Sequence, residues 1–187
     1  SPSPAEDLFA KGISLNKEGK YEEAIKCYDR VLEKDPKNKE VLFNKGLSLG
    51  NLRKHEEALL CYDKILEIDP SSIKTLFKKG TTLVNLGKNE DALLCYNKIL
   101  DINPKNSDVW FNRGIILDNL GKNEDALSSY DRVLEIDPSN TDALLNKGKV
   151  LEKTGRYEEA VACYDKILSI TPDDTQVQKS RDEAIKH

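Results

Sequence analysis

The sequence predicts an all-α protein built from repeated helical hairpins. The nine residues Asn85–Leu93, N-L-G-K-N-E-D-A-L, occur again 34 residues later as Asn119–Leu127. A fixed period of roughly 20–50 residues is typical of architectures in which similar units stack on one another. Apolar residues inside each period follow helical spacing, and strand-like alternation occurs nowhere. The expected fold is therefore a solenoid of helix-turn-helix repeats.

The period divides most of the chain into five repeats, each with a first and a second helix. These repeats are expected at residues 5–38, 39–72, 73–106, 107–140 and 141–174. In residues 175–187 the apolar pattern fades, since Gln178 and Asp182 replace a large apolar residue and a glycine. We expect this segment to be a capping helix with a polar outer face. Residues 1–4 are expected to be linker, and the absence of methionine suggests an excised or processed module.

Turn and cap residues recur where helices should end and begin. Glycines follow the first helix at positions that suit a left-handed residue: Gly19, Gly87, Gly121 and Gly155. Arg53 occupies this place in the second repeat, where it should be strained. We expect Asn89 and Asn123 to cap the second helices.

The starts of the first helices are also predicted from cap residues. Each second helix ends before a proline, and a cap residue follows two places later: Asn38, Ser72, Asn106, Asn140 and Asp174. Ser3 and Glu6 have the spacing of a capping box, with Pro4 at the first helical position. Ordered helix is therefore expected from about Pro4.

The recurring large apolar, Gly, Leu, Gly, Ala, Tyr and Pro residues resemble the tetratricopeptide repeat. In the fourth repeat the matching residues are Trp110, Gly114, Leu117, Gly121, Ala126, Tyr130 and Pro138. The resemblance covers nearly the whole chain and implies a right-handed superhelix. We expect Gly46 and Gly114 to face Ala58 and Ala126, with the tyrosines filling the gap to the following repeat.

A cation comes immediately before the glycine in the middle of each first helix, at a place where the family usually has an apolar residue. The cations are Lys11, Lys45, Lys79, Arg113 and Lys147. One interpretation is that their stems pack while the charges reach solvent. The sharper hypothesis pairs them with acids of the second helices, namely Asp29, Asp63, Asp131 and Asp165.

The resemblance implies that the first helices line a concave groove that holds a peptide. Residues at the fifth place of each repeat share that face by helical spacing: Phe9, Phe43, Phe77, Phe111 and Leu145. They contain every phenylalanine of the protein. The row could offer an apolar surface to a ligand, or its rings could pack between adjacent first helices.

Polar residues accompany this row. Asn44, Asn112 and Asn146 occupy the sixth place, where some family members use asparagines to bind a peptide backbone. Some family members hold the C-terminal tail of a partner with a set of lysines and asparagines called a carboxylate clamp. Asn44, Lys74 and Lys78 match the last three positions of this set, but Phe9 and Ile13 occupy the first two. A full clamp is therefore not expected, and a weaker acidic-group pocket around Lys74 and Lys78 remains open.

Other functional classes are disfavoured by composition. The net charge is −4 without a basic block, which argues against nucleic-acid binding, and no apolar run could cross a membrane. His55 and His187 belong to no catalytic or metal-binding pattern, so no enzyme activity, cofactor or metal is expected. Cys27, Cys61, Cys95 and Cys163 are expected to be too far apart for disulfides, which favours a cytoplasmic location.

The expected function is a protein–protein interaction scaffold that binds a peptide segment of a partner. The first alternative is architectural self-association by end-to-end stacking, because the terminal helices have weak covering faces. The second is a recruiting module of a larger multidomain enzyme. The identity of the partner does not follow from the sequence.

Overall fold

The structure, a computed structural model that describes residues 1–187, contains eleven α-helices and no strands. Ten of the helices form five hairpins, and α11 follows the last one. The helices are α1 (Pro4–Lys17), α2 (Tyr21–Lys34), α3 (Lys39–Asn51), α4 (His55–Ile68), α5 (Ile73–Asn85), α6 (Asn89–Ile102), α7 (Ser107–Asn119), α8 (Asn123–Ile136), α9 (Thr141–Lys153), α10 (Tyr157–Ile170) and α11 (Thr175–Ile185). The all-α prediction is confirmed.

The chain forms two compact bodies. The N-terminal body is Ser1–Ile102 and contains α1 to α6, whereas the C-terminal body is Asn103–His187 and contains α7 to α11. Within each hairpin the odd-numbered helix is called the first helix and the even-numbered helix the second.

The first helices begin at the predicted caps. The Ser3 hydroxyl accepts from the backbone N–H of Glu6 at 3.1 Å, and the Glu6 carboxylate accepts from the backbone N–H of Ser3 at 3.2 Å. This is the predicted capping box. The side chains of four other caps accept from a backbone N–H in the first turn: Asn38, Asn106, Asn140 and Asp174. At Ser72 the hydroxyl instead bonds the Thr75 hydroxyl at 2.8 Å.

The prediction that Asn89 and Asn123 cap the second helices is wrong. Asn123 is the first residue of α8, and Lys122 precedes it without a side-chain cap. The backbone N–H of Lys122 donates to the Leu117 carbonyl at 2.8 Å, while the Lys122 carbonyl accepts from Ala126 at 3.0 Å. The left-handed glycine turn therefore closes so tightly that the next helix starts one residue early. Asn89 likewise begins α6.

Backbone conformation in these turns is as predicted. The turn glycines adopt positive φ, for example 74° at Gly87 and 77° at Gly155. Arg53 adopts a φ of 62° at the equivalent place, although an L-residue is strained there. Hydrogen bonds of the turn hold it in this conformation, since Arg53 donates to the Gly50 carbonyl at 2.9 Å.

The atoms nearest to the first-helix glycines belong to a tyrosine ring of the same hairpin. A Cβ placed on Gly46 would lie 2.6 Å from the Tyr62 ring, and one on Gly114 would lie 2.5 Å from the Tyr130 ring. The tyrosine one helical turn after the recurring alanine reaches across to the first helix. The tyrosines also contribute to the next hairpin, because Tyr28 shares a core cluster with Val41 of α3.

Ion pairs link successive hairpins within each body. Lys45 lies 2.6 Å from Asp29, and Lys79 lies 2.8 Å from Asp63. In the C-terminal body Lys147 lies 2.7 Å from Asp131. The pairing hypothesis is thus confirmed for these three cations.

The other cations and acids at these repeat positions have different partners. Arg113 donates to the Ser129 hydroxyl at 2.7 Å, and Lys11 is exposed. Asp165 pairs with Arg181 of α11, a cation that is not among the five of the pairing hypothesis. All four cysteines are free and buried.

Candidate functional site

The phenylalanines of the first helices each lie half-buried against a tyrosine of the same hairpin. Their ring centroids are 5.9, 5.9, 6.0 and 6.0 Å apart in the pairs Phe9–Tyr28, Phe43–Tyr62, Phe77–Tyr96 and Phe111–Tyr130. We call these four phenylalanines the phenylalanine row. Tilted rings at such distances attract one another beyond simple burial. Each ring is half-buried, and its aromatic neighbour is on the second helix of its own hairpin.

In the N-terminal body, Asn44 and two lysines lie on the same helices as the row. The Asn44 amide nitrogen donates to the Glu40 carbonyl of its own helix at 2.9 Å, which leaves its side-chain oxygen as the available acceptor. Lys74 and Lys78 lie one turn apart on α5, and both are exposed. These residues offer one acceptor and two cations beside the rings.

Lys74 is held against the aromatic row. Its ammonium nitrogen lies 4.4 Å above the centroid of the Phe43 ring, within the range of a cation–π contact. Phe43 and Lys74 also line a pocket of about 310 Å³ between α3 and α5, together with Ile65 and Thr75. Lys39 and Asp69 also line this pocket, and the Lys39 ammonium lies 3.9 Å from the Asp69 carboxylate.

The equivalent residues of the C-terminal body have different partners. Phe111, Asn112, Leu145 and Asn146 are all half-buried on α7 and α9. The side chain of Asn146 forms a hydrogen bond with the hydroxyl of Tyr130, whereas Asn44 bonds to its own helix. The asparagines therefore do not present one repeated arrangement to a ligand.

The structure also reveals a cluster around Trp110 that the sequence patterns missed. The indole N–H donates to the Pro104 carbonyl at 2.7 Å. The guanidinium carbons of Arg113 and Arg132 lie 5.6 and 5.2 Å from its ring centre. The residue that replaces leucine in this repeat thus binds the preceding loop and two arginines. Its size at that place was the only signal in the sequence.

Burial shapes the acidity of the groups behind the row. Desolvation raises the pKa of Tyr96 to about 12, and it likewise raises the pKa of Tyr130 to about 12. Burial also raises the pKa of the Cys61 and Cys95 thiols, which disfavours the reactive thiolate. These side chains thus remain neutral packing elements at neutral pH.

Histidine and carboxylate side chains form no grouping of three that could hold a metal ion. His55 begins α4, and His187 stacks on Tyr157 with ring centroids 4.5 Å apart. None of the helices is long and apolar enough to cross a membrane.

Comparison with known families identifies the repeats. Models described as tetratricopeptide repeat match residues 9–73, 61–93, 95–128 and 120–182, which together span nearly the whole chain. The chain is a tetratricopeptide repeat protein. Comparison with curated proteins yields no match. Membership of this family carries a general role in protein–protein interaction, because stacked repeats present extended binding surfaces.

Solved structures with this fold are similar over most of their length. A tetratricopeptide repeat protein from Parabacteroides merdae has a TM-score of 0.85 at 24% identity, covering 96% of this chain and 72% of that one. MamA from Desulfovibrio magneticus has a TM-score of 0.82 at 17% identity, with coverage of 93% and 98%. YrrB, described as a TPR protein with an unusual peptide-binding site, has a TM-score of 0.79 at 25% identity, with coverage of 95% and 92%.

Proposed function

We propose that this tetratricopeptide repeat protein binds a peptide segment of a protein partner along the phenylalanine row. The observation that carries the proposal is the half-burial of every ring in the row against a tyrosine. Such a ring is already held in place, so a ligand that covers it removes apolar surface from water without ordering a mobile side chain.

Polar contacts in the N-terminal body would orient the peptide. The free side-chain oxygen of Asn44 accepts from a peptide N–H, which suits backbone recognition. Lys74 and Lys78 attract an acidic side chain or a terminal carboxylate to α5. Phe43 and Phe77 lie on the same helices and receive the apolar side chains. A peptide that combines acidic and apolar residues therefore fits this body best.

In the C-terminal body the same mode uses Phe111 and Leu145 as apolar contacts and Asn112 as the polar one. Asn146 contributes less, because Tyr130 already engages its side chain. The peptide-binding site in the description of YrrB supports peptide recognition as a mode of this fold. The strongest polar contacts are expected on α3 and α5 of the N-terminal body.

Selection from a display library of random dodecapeptides against the full chain tests the proposal. Peptides recovered on the unaltered protein are expected to lose at least about tenfold in affinity when Phe77 and Phe111 are both changed to Ala. Isothermal titration calorimetry measures the affinity, and far-UV circular dichroism confirms that the variant remains helical.

The matched control is the change of Leu60 and Leu94 to Ala, which removes two apolar side chains from second helices. These leucines are 63% and 61% exposed, so the change should leave peptide affinity within about twofold. The proposal is wrong if no peptides are recovered. Equal losses in the two double variants would also exclude the phenylalanine row as the binding surface.

End-to-end self-association is the second candidate function. The first helices α3, α7 and α9 place Val41, Val109 and Ala143 in the core. The equivalent residue of α1 is Asp7, and Lys11 and Ser14 are also exposed on that helix. This end offers little apolar surface for stacking, which favours peptide binding. Light scattering over a concentration series distinguishes peptide binding from self-association, since the average molar mass of a monomer should not increase with concentration.

A further inference from the structure

Large apolar side chains are exposed on the sides of α4 and α6 that face away from the first helices. Leu60 is 63% exposed and Leu94 is 61% exposed, the two highest values among the large apolar residues. Ile68 and Ile102, about two turns further along the same helices, are also exposed. Both helices belong to the N-terminal body, and neither is the first or the last helix of the chain. These sides are therefore open although other helices precede and follow both of them.

The two leucines occupy one place of the repeat where the other second helices have small or charged residues. The residues at this place in α2, α8 and α10 are all exposed: Lys26, Ser128 and Ala162. The fold therefore does not require a leucine there. Exposed apolar residues that the core does not use, side by side on neighbouring helices, are typical of a contact surface.

The spacing of the second helices brings the leucines close together. Ile25 of α2 packs against a core cluster that includes Ala58 and Ile65 of α4, so successive second helices lie side by side. The same 34-residue period relates α4 to α6. Because packed helices lie about 8–10 Å apart, Leu60 and Leu94 are separated by roughly 10 Å.

Carboxylates surround the two leucines. Six exposed acids lie within about two turns of them along α4 and α6: Glu56, Glu57, Glu67, Glu90, Asp91 and Asp101. We call the two leucines and these six acids the outer patch. The salt bridges of the chain include none of the six acids. Each helix has one lysine, Lys64 or Lys98, so the outer patch retains an excess of negative charge.

An arginine neutralises the equivalent acids of the C-terminal body. The guanidinium of Arg156 lies 3.1 Å from the Glu124 carboxylate of α8 and 2.9 Å from the Glu159 carboxylate of α10. It thus joins two successive second helices. Lys88 stands at the equivalent place before α6 and forms no salt bridge. A planar group with several N–H donors can bond two carboxylates at once, which a single ammonium does less well.

We propose that the outer patch binds one amphipathic α-helix of a partner protein that carries leucine-type side chains and arginines. Seven helical residues span about 10 Å, so apolar residues at i and i+7 of this helix cover Leu60 and Leu94. One of its arginines donates to Glu56 and Asp91, which are equivalent to the two acids that Arg156 joins. The partner thereby supplies the guanidinium that the N-terminal body lacks.

Backbone bonding and charge select this occupant over others. The sides of helices have no unpaired backbone groups to offer an extended segment, whereas a helix bonds its own backbone. A second copy of this chain has a net charge of −4 and would bring further carboxylates to the outer patch. The acidic and apolar peptides expected at the phenylalanine row also have the wrong charge for this surface.

A synthetic peptide of about 21 residues, long enough to be helical alone, tests the proposal. It has leucine at every seventh position, arginines beside the leucines and alanine elsewhere. Fluorescence anisotropy should show at least about tenfold weaker binding when Leu60→Ser and Leu94→Ser are combined in the full chain. Serine occurs at this place in α8, so this variant should remain folded.

The matched control combines Ile136→Ser with Ile170→Ser. These isoleucines are 44% and 46% exposed on second helices of the C-terminal body, outside the outer patch. Peptide affinity should stay within about twofold of that of the unaltered chain. A second control peptide has glutamate in place of every arginine and should not bind.

Lys88→Arg tests the charge contacts without removing any residue of the outer patch. The new guanidinium should join Glu56 and Asp91, as Arg156 joins their equivalents, and so compete with the arginines of the peptide. Binding should weaken at least about threefold. Lys88→Ala leaves both acids open and should not weaken it.

Three results would overturn the proposal directly. They are no binding of the arginine peptide to the unaltered chain, equal binding of its glutamate counterpart, and equal losses in the leucine and isoleucine double variants. Tighter binding to the Lys88→Arg variant would contradict the assigned arginine contact. Self-association in sedimentation velocity that the Leu60→Ser and Leu94→Ser changes abolish would assign the outer patch to a second copy, which also overturns the proposal.

Discussion

The two sides of the first helices differ in how much the residue types vary from hairpin to hairpin. On the side that meets the second helix, a glycine faces a tyrosine ring in all five hairpins, and a Cβ there would lie 2.5 to 2.8 Å from the ring. Beside the phenylalanine row, the sixth place of the repeat changes from hairpin to hairpin: Ala10, Asn44, Lys78, Asn112 and Asn146. The comparison separates the residues that build the fold from those that can select a partner.

Packing explains the constancy of the first side. Tyr130 and Tyr164 are almost fully buried, and the glycine is the residue that leaves room for a ring at this distance. Protein interiors are close-packed, so any added side-chain atom at this place must displace the ring or the helix. Beside the row the residues at the sixth place are exposed or half-buried, so packing restricts their side chains less.

Changing Gly114 to Val should disrupt the packing of the first helix against the second and produce the largest effect on stability. The first added carbon would lie 2.5 Å from the Tyr130 ring. We expect a loss of about 3 kcal/mol or more in the free energy of unfolding, measured by urea denaturation.

Phe111→Ala is the comparison on the variable side of the same helix. It should lower the free energy of unfolding by roughly 2 kcal/mol, because the ring is only half-buried. A smaller loss for Gly114→Val than for Phe111→Ala would contradict the assignment of the two sides.

Alkaline pH should lower the stability of the fold through the buried tyrosines that pack on the glycines. Burial raises the pKa of Tyr96 and Tyr130 to about 12 from the ordinary value of 10.0. Below pH 10 both states hold the phenolic proton, and stability is at its full value. Between pH 10 and 12 the unfolded chain loses these protons while the native one keeps them, so stability falls as the pH rises.

Circular dichroism and phenolate absorbance, recorded together over this pH range, measure the effect. Helicity should fall as the buried tyrosines ionise, because ionisation requires unfolding. Tyr130→Phe removes one of these ionisations and should weaken the pH dependence. Titration of all the tyrosines near pH 10 with intact helicity would show that the rings are not held as the structure places them.

The smallest effect concerns a turn that lies outside both sides. Arg53 adopts a φ of 62°, where the other turns have glycine. Arg53→Gly should raise the free energy of unfolding by about 1 kcal/mol through relief of backbone strain. Gly87→Ala at the equivalent turn should lower it by a similar amount, and urea denaturation measures both. Equal stabilities of the unaltered chain and the Arg53→Gly variant would mean that the strain is offset locally.

Much of the fold was predictable because its signals are local. Asn38, Asn140 and Asp174 cap helices through a hydrogen bond three residues away, and Gly121 ends a helix through its own φ. Such preferences act between near neighbours, so the residue type alone carries them. Asn123 was misplaced because a tight turn shifts the helix start by one residue, which depends on backbone geometry rather than composition.

The sequence by itself determined the period, the helices, the caps of the first helices and the column in which the phenylalanines lie. Only the tertiary structure decided that the Tyr62 ring lies against Gly46, and that Arg181 completes the column of interhelical cations. The physical reason is that reach and cover depend on which helices meet in space, and a one-dimensional period contains the spacing of side chains but not their neighbours.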